Sequence, residues 1–302
     1  MKKFIINEND EGQRLSRFIE KMFCKMPKSL IYKSIRKKNV KVNSKKSIHN
    51  QILKKGDIVE VYFLDSFFEE KKEDLFLNLK NFRLDVVYED ENILVVNKEC
   101  GIKTQPNSKK KDSLIDMVIK YLTEKKEYIA EKENSFKPAF CTRLDTNTKG
   151  LVIAGKNRKA LITLNELMKN GNIKKTYLCI VEGKMQKKRE VLVGYWSKDH
   201  IKNKVKISKN KSMFSKKVIT EYLVVKQLLK TAKLKVILHT GRSHQIRAHM
   251  ALINHPIVGD FKYGSKVKGD LKLLCYSLEF NTKGTYLEYL DAKKITLKDE
   301  IL

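Results

Sequence analysis

The apolar residues of this chain come in short runs, and that feature most limits what it can fold into. Ile93-Leu94-Val95-Val96 and Leu151-Val152-Ile153-Ala154 are bounded by polar or turn-forming residues. Runs of this length fit short strands, the second of them buried. None approaches the roughly 18 residues of a membrane-crossing helix. Val86-Val87-Tyr88 and Ile93-Leu94-Val95-Val96 flank Glu89-Asp90-Glu91-Asn92, a hairpin pattern. Further strands are expected over 177–181, 218–225 and 234–239. Helical spacing of Leu15, Phe18, Ile19 and Met22 predicts a helix over 13–24, ended by Pro27. Ser29 is the expected N-cap of a second helix to residue 37. Others are expected over 158–168 and 243–254. Helices and strands mix without strict alternation, so the fold class is α+β, not a doubly wound sheet.

Charge then selects a partner. The chain has 64 Lys and Arg against 35 Asp and Glu, a net +29. Such a surface releases counterions when it meets phosphates, which points to nucleic acid. Only nine of the basic residues are Arg, so part of the lysine excess can reflect composition alone. Residues 1–63 carry 16 basic and 6 acidic residues and hold two expected helices and strands over 40–43 and 57–63. Residues 183–217 carry 12 basic and 2 acidic. Between 64 and 80 the acids dominate and periodicity fades. The expected division is a domain 1–63, a linker 64–81 and a domain 82–302. The chain opens with a basic Met1-Lys2-Lys3 but no adequate apolar stretch follows, so no signal peptide is expected. Five widely spaced cysteines argue against a disulfide framework or a zinc knuckle and for a cytoplasmic protein with reduced thiols. No assembly seam is visible, and a monomer is expected.

Several chemistries lack support. No Gly-rich phosphate loop is present. His239, His244 and His249 are spaced by five, and on a helix His244 and His249 would stand roughly 140° apart, so no metal site is expected. Two other segments stand out. Residues 143–154, Arg-Leu-Asp-Thr-Asn-Thr-Lys-Gly-Leu-Val-Ile-Ala, run from a charged turn into a strand. Asp145 is thus held beside a strand end, with Gly150 allowing a tight turn. Asp145 could equally cap its own turn. In residues 238–249, Leu-His-Thr-Gly-Arg-Ser-His-Gln-Ile-Arg-Ala-His, a strand ends, Gly241 turns the chain and a helix begins. Arg247 shares a face with Ser243, Ala251 and Asn254, free to reach across a cleft, while Ile246, Met250 and Ile253 face the core. Its plainer role is a structural salt bridge.

Together these segments resemble the RluA-type pseudouridine synthase family. The matching pieces are Arg143-Leu144-Asp145 with Thr148, Gly150 and Leu151, then residues 239–249, then His255-Pro256-Ile257-Val258-Gly259-Asp260. Lys175-Thr176-Tyr177 and Tyr263-Gly264 fall in the expected order, and the likeness spans roughly 83–290. Residues 1–63 resemble a small alpha-L RNA-binding domain, on Arg14-Leu15, the basic stretch 28–38, Val40-Lys41-Val42-Asn43 and Gly56-Asp57.

The resemblance implies a mixed, mainly antiparallel sheet around an RNA cleft. It implies an isomerase that detaches uracil from its ribose within RNA and rejoins it through carbon 5, without metal or cofactor. It makes Asp145 the nucleophilic or base-acting carboxylate, Tyr177 the residue stacking on the base, and Arg247 the partner of Asp145. Arg143 would enter the duplex as the uridine flips out, with Ile246 beside the substrate. Arg14, Arg17, Lys28, Lys33, Arg36, Lys37 and Lys38 would grip RNA, with ribosomal RNA favoured over transfer RNA. A non-catalytic RNA-binding assembly factor on the same fold is the rival. The sequence departs from the family pattern at Thr142, Lys149, Gln105 and Glu99-Cys100-Gly101.

Overall fold

The computed structural model describes residues 1–63, 67, 83–106, 113–199 and 204–298. The first part contains β1 (Lys2–Ile5), α1 (Leu15–Met22), α2 (Lys28–Arg36), β2 (Val40–Val42), β3 (Lys45–Lys46) and β4 (Ile58–Val61). The strands form an antiparallel sheet in the order β1-β4-β2-β3. Leu15, Phe18 and Ile19 of α1 pack with Ile31 and Ile35 of α2 against Val40, Val59 and Val61, and every buried member of this core lies between residues 6 and 61. Helix α2 starts one residue before the expected cap. Pro27 takes the cap position with φ −58°, where its fixed backbone suits a helix start, and Ser29 lies inside the helix. Except for residue 67, the expected linker 64–81 lies outside the described residues.

The second part begins with β5 (Val86–Glu89), β6 (Ile93–Lys98), α3 (Leu114–Glu124), β7 (Ala139–Phe140), β8 (Lys149–Gly155) and α4 (Arg158–Asn170). It continues with β9 (Ile173–Glu182), β10 (Arg189–Asp199), β11 (Lys204–Ser208), β12 (Lys216–Gln227) and β13 (Thr231–Leu238). It ends with α5 (Gln245–Leu252), β14 (Leu273–Phe280) and β15 (Lys294–Thr296). The sheet runs β11-β10-β12-β13-β9-β14-β8-β6-β5, with β15 on β14 and β7 on β8. Among the described pairs only β14 with β8 is parallel.

The four-residue apolar runs have a direct explanation. Ile93, Val95, Leu151 and Ile153 enter a core with Ala160, Leu164 and Leu167 of α4. Leu94, Val96, Val152 and Ala154 face Leu114, Met117 and Val118 of α3. Both faces of β6 and β8 are covered, so alternation disappears from the sequence.

Seven strands escape the sequence pattern: β1, β3, β7, β10, β11, β14 and β15. Residues 183–217 read only as a charged stretch, yet nearly half of them form β10 and β11. Val191 and Val193 of β10 are half exposed, so no buried face marks that strand, and β11 buries only Val205 and Ile207 between exposed lysines. Helix α5 is shorter than expected. His244 adopts a left-handed backbone (φ 53°), so the helix starts at Gln245 and Ser243 lies outside it.

The two parts touch through a polar contact. Asp10, fully buried, accepts hydrogen bonds from Ser135 Oγ at 2.6 Å, Asn134 Nδ2 at 2.7 Å and Gln13 Nε2 at 3.2 Å. No helix among the described residues is long and apolar enough to cross a membrane.

Candidate active site

Asp145 sits in the turn between β7 and β8, and the chain on both sides of it is clamped. Thr104 Oγ1 donates to the Leu144 carbonyl at 2.9 Å and accepts the Leu144 N–H at 3.2 Å. Lys98, fully buried, donates to the carbonyls of Glu99, Ile102 and Thr146 at 2.9, 2.9 and 2.8 Å. Three acceptors satisfy the three ammonium protons, which makes a buried lysine tolerable. Gly150 does not serve the turn, as its place in the sequence suggests. It lies inside β8 with φ +116°, and a Cβ there would meet the Cys275 carbonyl oxygen at 2.3 Å. Its task is to let the backbones of β8 and β14 approach.

Arg247 is the third residue of α5 and is buried. Its Nη1 donates to Asp145 Oδ2 at 3.0 Å, across 102 residues of sequence. Its Nε donates to Asp260 Oδ2 at 2.7 Å and its Nη2 to Asp260 Oδ1 at 2.8 Å. The guanidinium carbon stands 5.0 Å from the centre of the Tyr263 ring. Burial alone works against the charge, but the Asp260 bonds, aided by Asp145, outweigh it and raise the pKa of Arg247. Sequence reasoning misses Asp260 as a partner. It belongs to a quoted motif, and its position after Gly259 at the end of an apolar stretch is the available signal.

The start of α5 is pinned to the sheet by Gln245. Its Oε1 accepts from Thr240 Oγ1 at 2.9 Å and the Arg242 N–H at 3.1 Å. Its Nε2 donates to the Ile219 carbonyl at 3.0 Å and Thr220 Oγ1 at 2.9 Å. His244 thereby comes within 3.6 Å of Asp145 Oδ2 through Nε2.

Tyr177 stands in the middle of the sheet, opposite Val236 of β13 and Cys275 of β14. It is buried. Burial first, then Cys275 and the charge of Asp145, hold its phenol well above the ordinary value, so the ring stays neutral.

Asp145, Tyr177, Arg247, Arg143 and Ile246 all line one cavity of about 1160 Å³. That space exceeds a typical small-molecule cleft and is open enough for a nucleotide with its neighbours. Arg143 is exposed, and Ile246 is buried in the core as well as lining the cavity. The seven basic residues of the first part expected to grip RNA are all exposed, and none of them lines the cavity. Glu20 pairs with Arg17 at 3.1 Å and lies 3.7 Å from Lys28. Two departures from the family pattern compensate one another, because Lys149 and Glu99 form an ion pair at 2.9 Å. A third, Thr142, accepts the Ile153 N–H at 3.3 Å.

Comparison with known proteins shows the family and the fold. The sequence model for RNA pseudouridylate synthases matches residues 92–252. An uncharacterized RNA pseudouridine synthase of Mycoplasma capricolum subsp. capricolum is 37% identical, over 98% of this chain and 97% of its own. A ribosomal large subunit pseudouridine synthase C of Buchnera aphidicola subsp. Schizaphis graminum is 31% identical, over 86% of this chain and 80% of its own. Among solved structures, human RNA pseudouridylate synthase domain containing 1 shares the fold at a TM-score of 0.59 and 20% identity, covering 73% of this chain and 85% of that one.

Proposed function

Because the chain belongs to the RNA pseudouridylate synthase family and is an isomerase, we propose that it isomerises uridines in large-subunit ribosomal RNA, with Asp145 as the reacting carboxylate. The observation that carries this reading is the Arg247 to Asp145 hydrogen bond of 3.0 Å at a cavity also lined by Tyr177. Breaking a glycosidic carbon–nitrogen bond builds charge at the sugar, and a fixed carboxylate meets that charge. Arg247 fixes the carboxylate, and Asp260 fixes Arg247. Tyr177 offers the extruded uracil a flat, neutral surface. Arg143, exposed at the rim, fills the space that the flipped uridine leaves.

Extruding a base costs a few kcal/mol, and phosphate contacts offset that cost. Residues 1–63 supply such contacts as a separate RNA-gripping domain, with Lys33, Arg36 and Lys37 at or just beyond the end of α2. Ribosomal RNA is favoured because the relatives that are more than family members by name act on the large subunit. Those relatives are bacterial, which fits a cytoplasmic site of action.

The test is Asp145→Asn with chemical mapping of pseudouridine in ribosomal and transfer RNA. The variant folds, binds RNA and forms no pseudouridine. Retention of a tenth of the activity removes Asp145 from its role. Modification confined to transfer RNA would replace the substrate and leave the chemistry standing.

A further inference from the structure

Resting on the reading of Asp145 as the reacting carboxylate, we propose that His244 is a positioning residue: the Tyr263 hydroxyl fixes its proton on Nε2, that N–H holds Asp145 Oδ2, and Oδ1 is left as the oxygen that meets the substrate.

The assignment follows from counting protons. Tyr263 is buried, and its hydroxyl oxygen accepts the N–H of Val205 at 3.0 Å. A backbone amide only donates, so the phenol still has its own proton to give. Among the described residues the acceptor for it is His244 Nδ1, at 2.8 Å. A buried hydroxyl proton without an acceptor is costly, so the Tyr263 O–H donates and Nδ1 accepts. In a neutral imidazole the remaining proton then sits on Nε2. Burial, the largest influence on His244, pulls its pKa below the ordinary value, with Asp145 opposing and Arg247 and Lys262 adding to the fall. The ring is therefore neutral near pH 8, and the tautomer matters.

Geometry places that N–H. His244 Nε2 stands 3.6 Å from Asp145 Oδ2, the same oxygen that receives Arg247 Nη1 at 3.0 Å. Catalytic hydrogen bonds are often this long before substrate binds and shorten in the complex. Among the described residues nothing hydrogen-bonds Oδ1. The ring is held edge-on to Tyr263, with centroids 5.7 Å apart and planes at 89°. The backbone of His244 is left-handed, at φ 53° and ψ 18°. That conformation is uncommon outside glycine, and it marks a residue whose placement the surroundings enforce. Tyr263 serves both donors, since its ring lies beneath Arg247 while its hydroxyl orients His244.

The experiment uses the full chain. Nitrogen-15 NMR of the unmodified protein at pH 8 reports the His244 tautomer, assigned by difference from His244→Leu. The Nε2–H form is expected, giving way to a mixture in Tyr263→Phe. Single-turnover kinetics use a uridine-containing ribosomal RNA fragment. His244→Leu lowers the rate about tenfold, as removal of one hydrogen bond should, with unchanged KM for RNA. His244→Gln, which restores an N–H, recovers most of the rate. Tyr263→Phe also slows the reaction, and combining it with His244→Leu adds nothing further. An Nδ1–H tautomer in the unmodified protein, or an unaltered rate in His244→Leu, overturns the proposal. An active Asp145→Asn would sink the proposed function instead, and the tautomer measurement separates the two failures.

Discussion

Asp260 grips Arg247 with both carboxylate oxygens, at 2.7 and 2.8 Å, whereas Asp145 meets the same guanidinium through one nitrogen at 3.0 Å. The two carboxylates are therefore unequal. Asp260 is almost fully buried and fixes the plane of the guanidinium, while Asp145 opens onto the cavity. Asp260→Asn keeps the shape but turns one acceptor into a donor facing a donor. Breaking a buried pair this way costs about 3 kcal/mol. Urea unfolding should show that loss, and the single-turnover rate should fall at least about tenfold. Wild-type values in both would mean that Arg247 is oriented by something else.

Gly150→Ala tests the approach of β8 to β14. The added methyl would sit 2.3 Å from the Cys275 carbonyl oxygen, at a backbone angle that L-residues rarely adopt. Backbone strain and displaced backbone together predict a loss of more than about 2 kcal/mol. A thermal unfolding midpoint equal to that of the parent would refute the close approach.

His249 predicts acid sensitivity. It is fully buried, its Nδ1 lies 2.7 Å from Thr220 Oγ1, and burial lowers its pKa to about 4. The unfolded chain takes up this proton near pH 6.5, whereas the folded one resists until about pH 4. Stability from this group is thus complete above about pH 6.5 and is lost as pH falls towards 4, by about 1.4 kcal/mol per pH unit. Replacing it by Gln should flatten the stability curve in that window. Parallel curves for parent and variant would contradict the assignment.

Lys33, Arg36 and Lys37 changed together to Ala should weaken RNA binding at low salt and leave the fold intact. Each phosphate that is no longer neutralised reduces the slope of log affinity against log salt by about 0.7 to 0.9. Filter binding across a salt series gives the slope, and an unchanged value would reject this face of α2 as an RNA surface.

Much of this molecule is legible in its residues. The runs at 93–96 and 151–154 announce buried strands because solvent is excluded from both faces, and a chain cannot place polar side chains there. Helices α1 and α4 show their apolar stripe. Asp145 and Arg247 stand in segments whose turn and helix signals are local, so their elements can be read from neighbours. β10 cannot, since almost none of it is buried and its partners across the sheet define it, and in β11 the two buried positions, Val205 and Ile207, are too few to stand out among the lysines.

The residues alone show the α+β class and the positive surface, and their family resemblance makes Asp145, Tyr177 and Arg247 the expected site. The tertiary structure decided the rest: that Asp260 takes two of the arginine's bonds, that Lys98 ties down the turn beside Asp145, and that His244 turns towards the same oxygen. Those relations join residues far apart along the chain, and a hydrogen bond depends on ångström-scale distance and direction, which only the packed sheet and α5 supply.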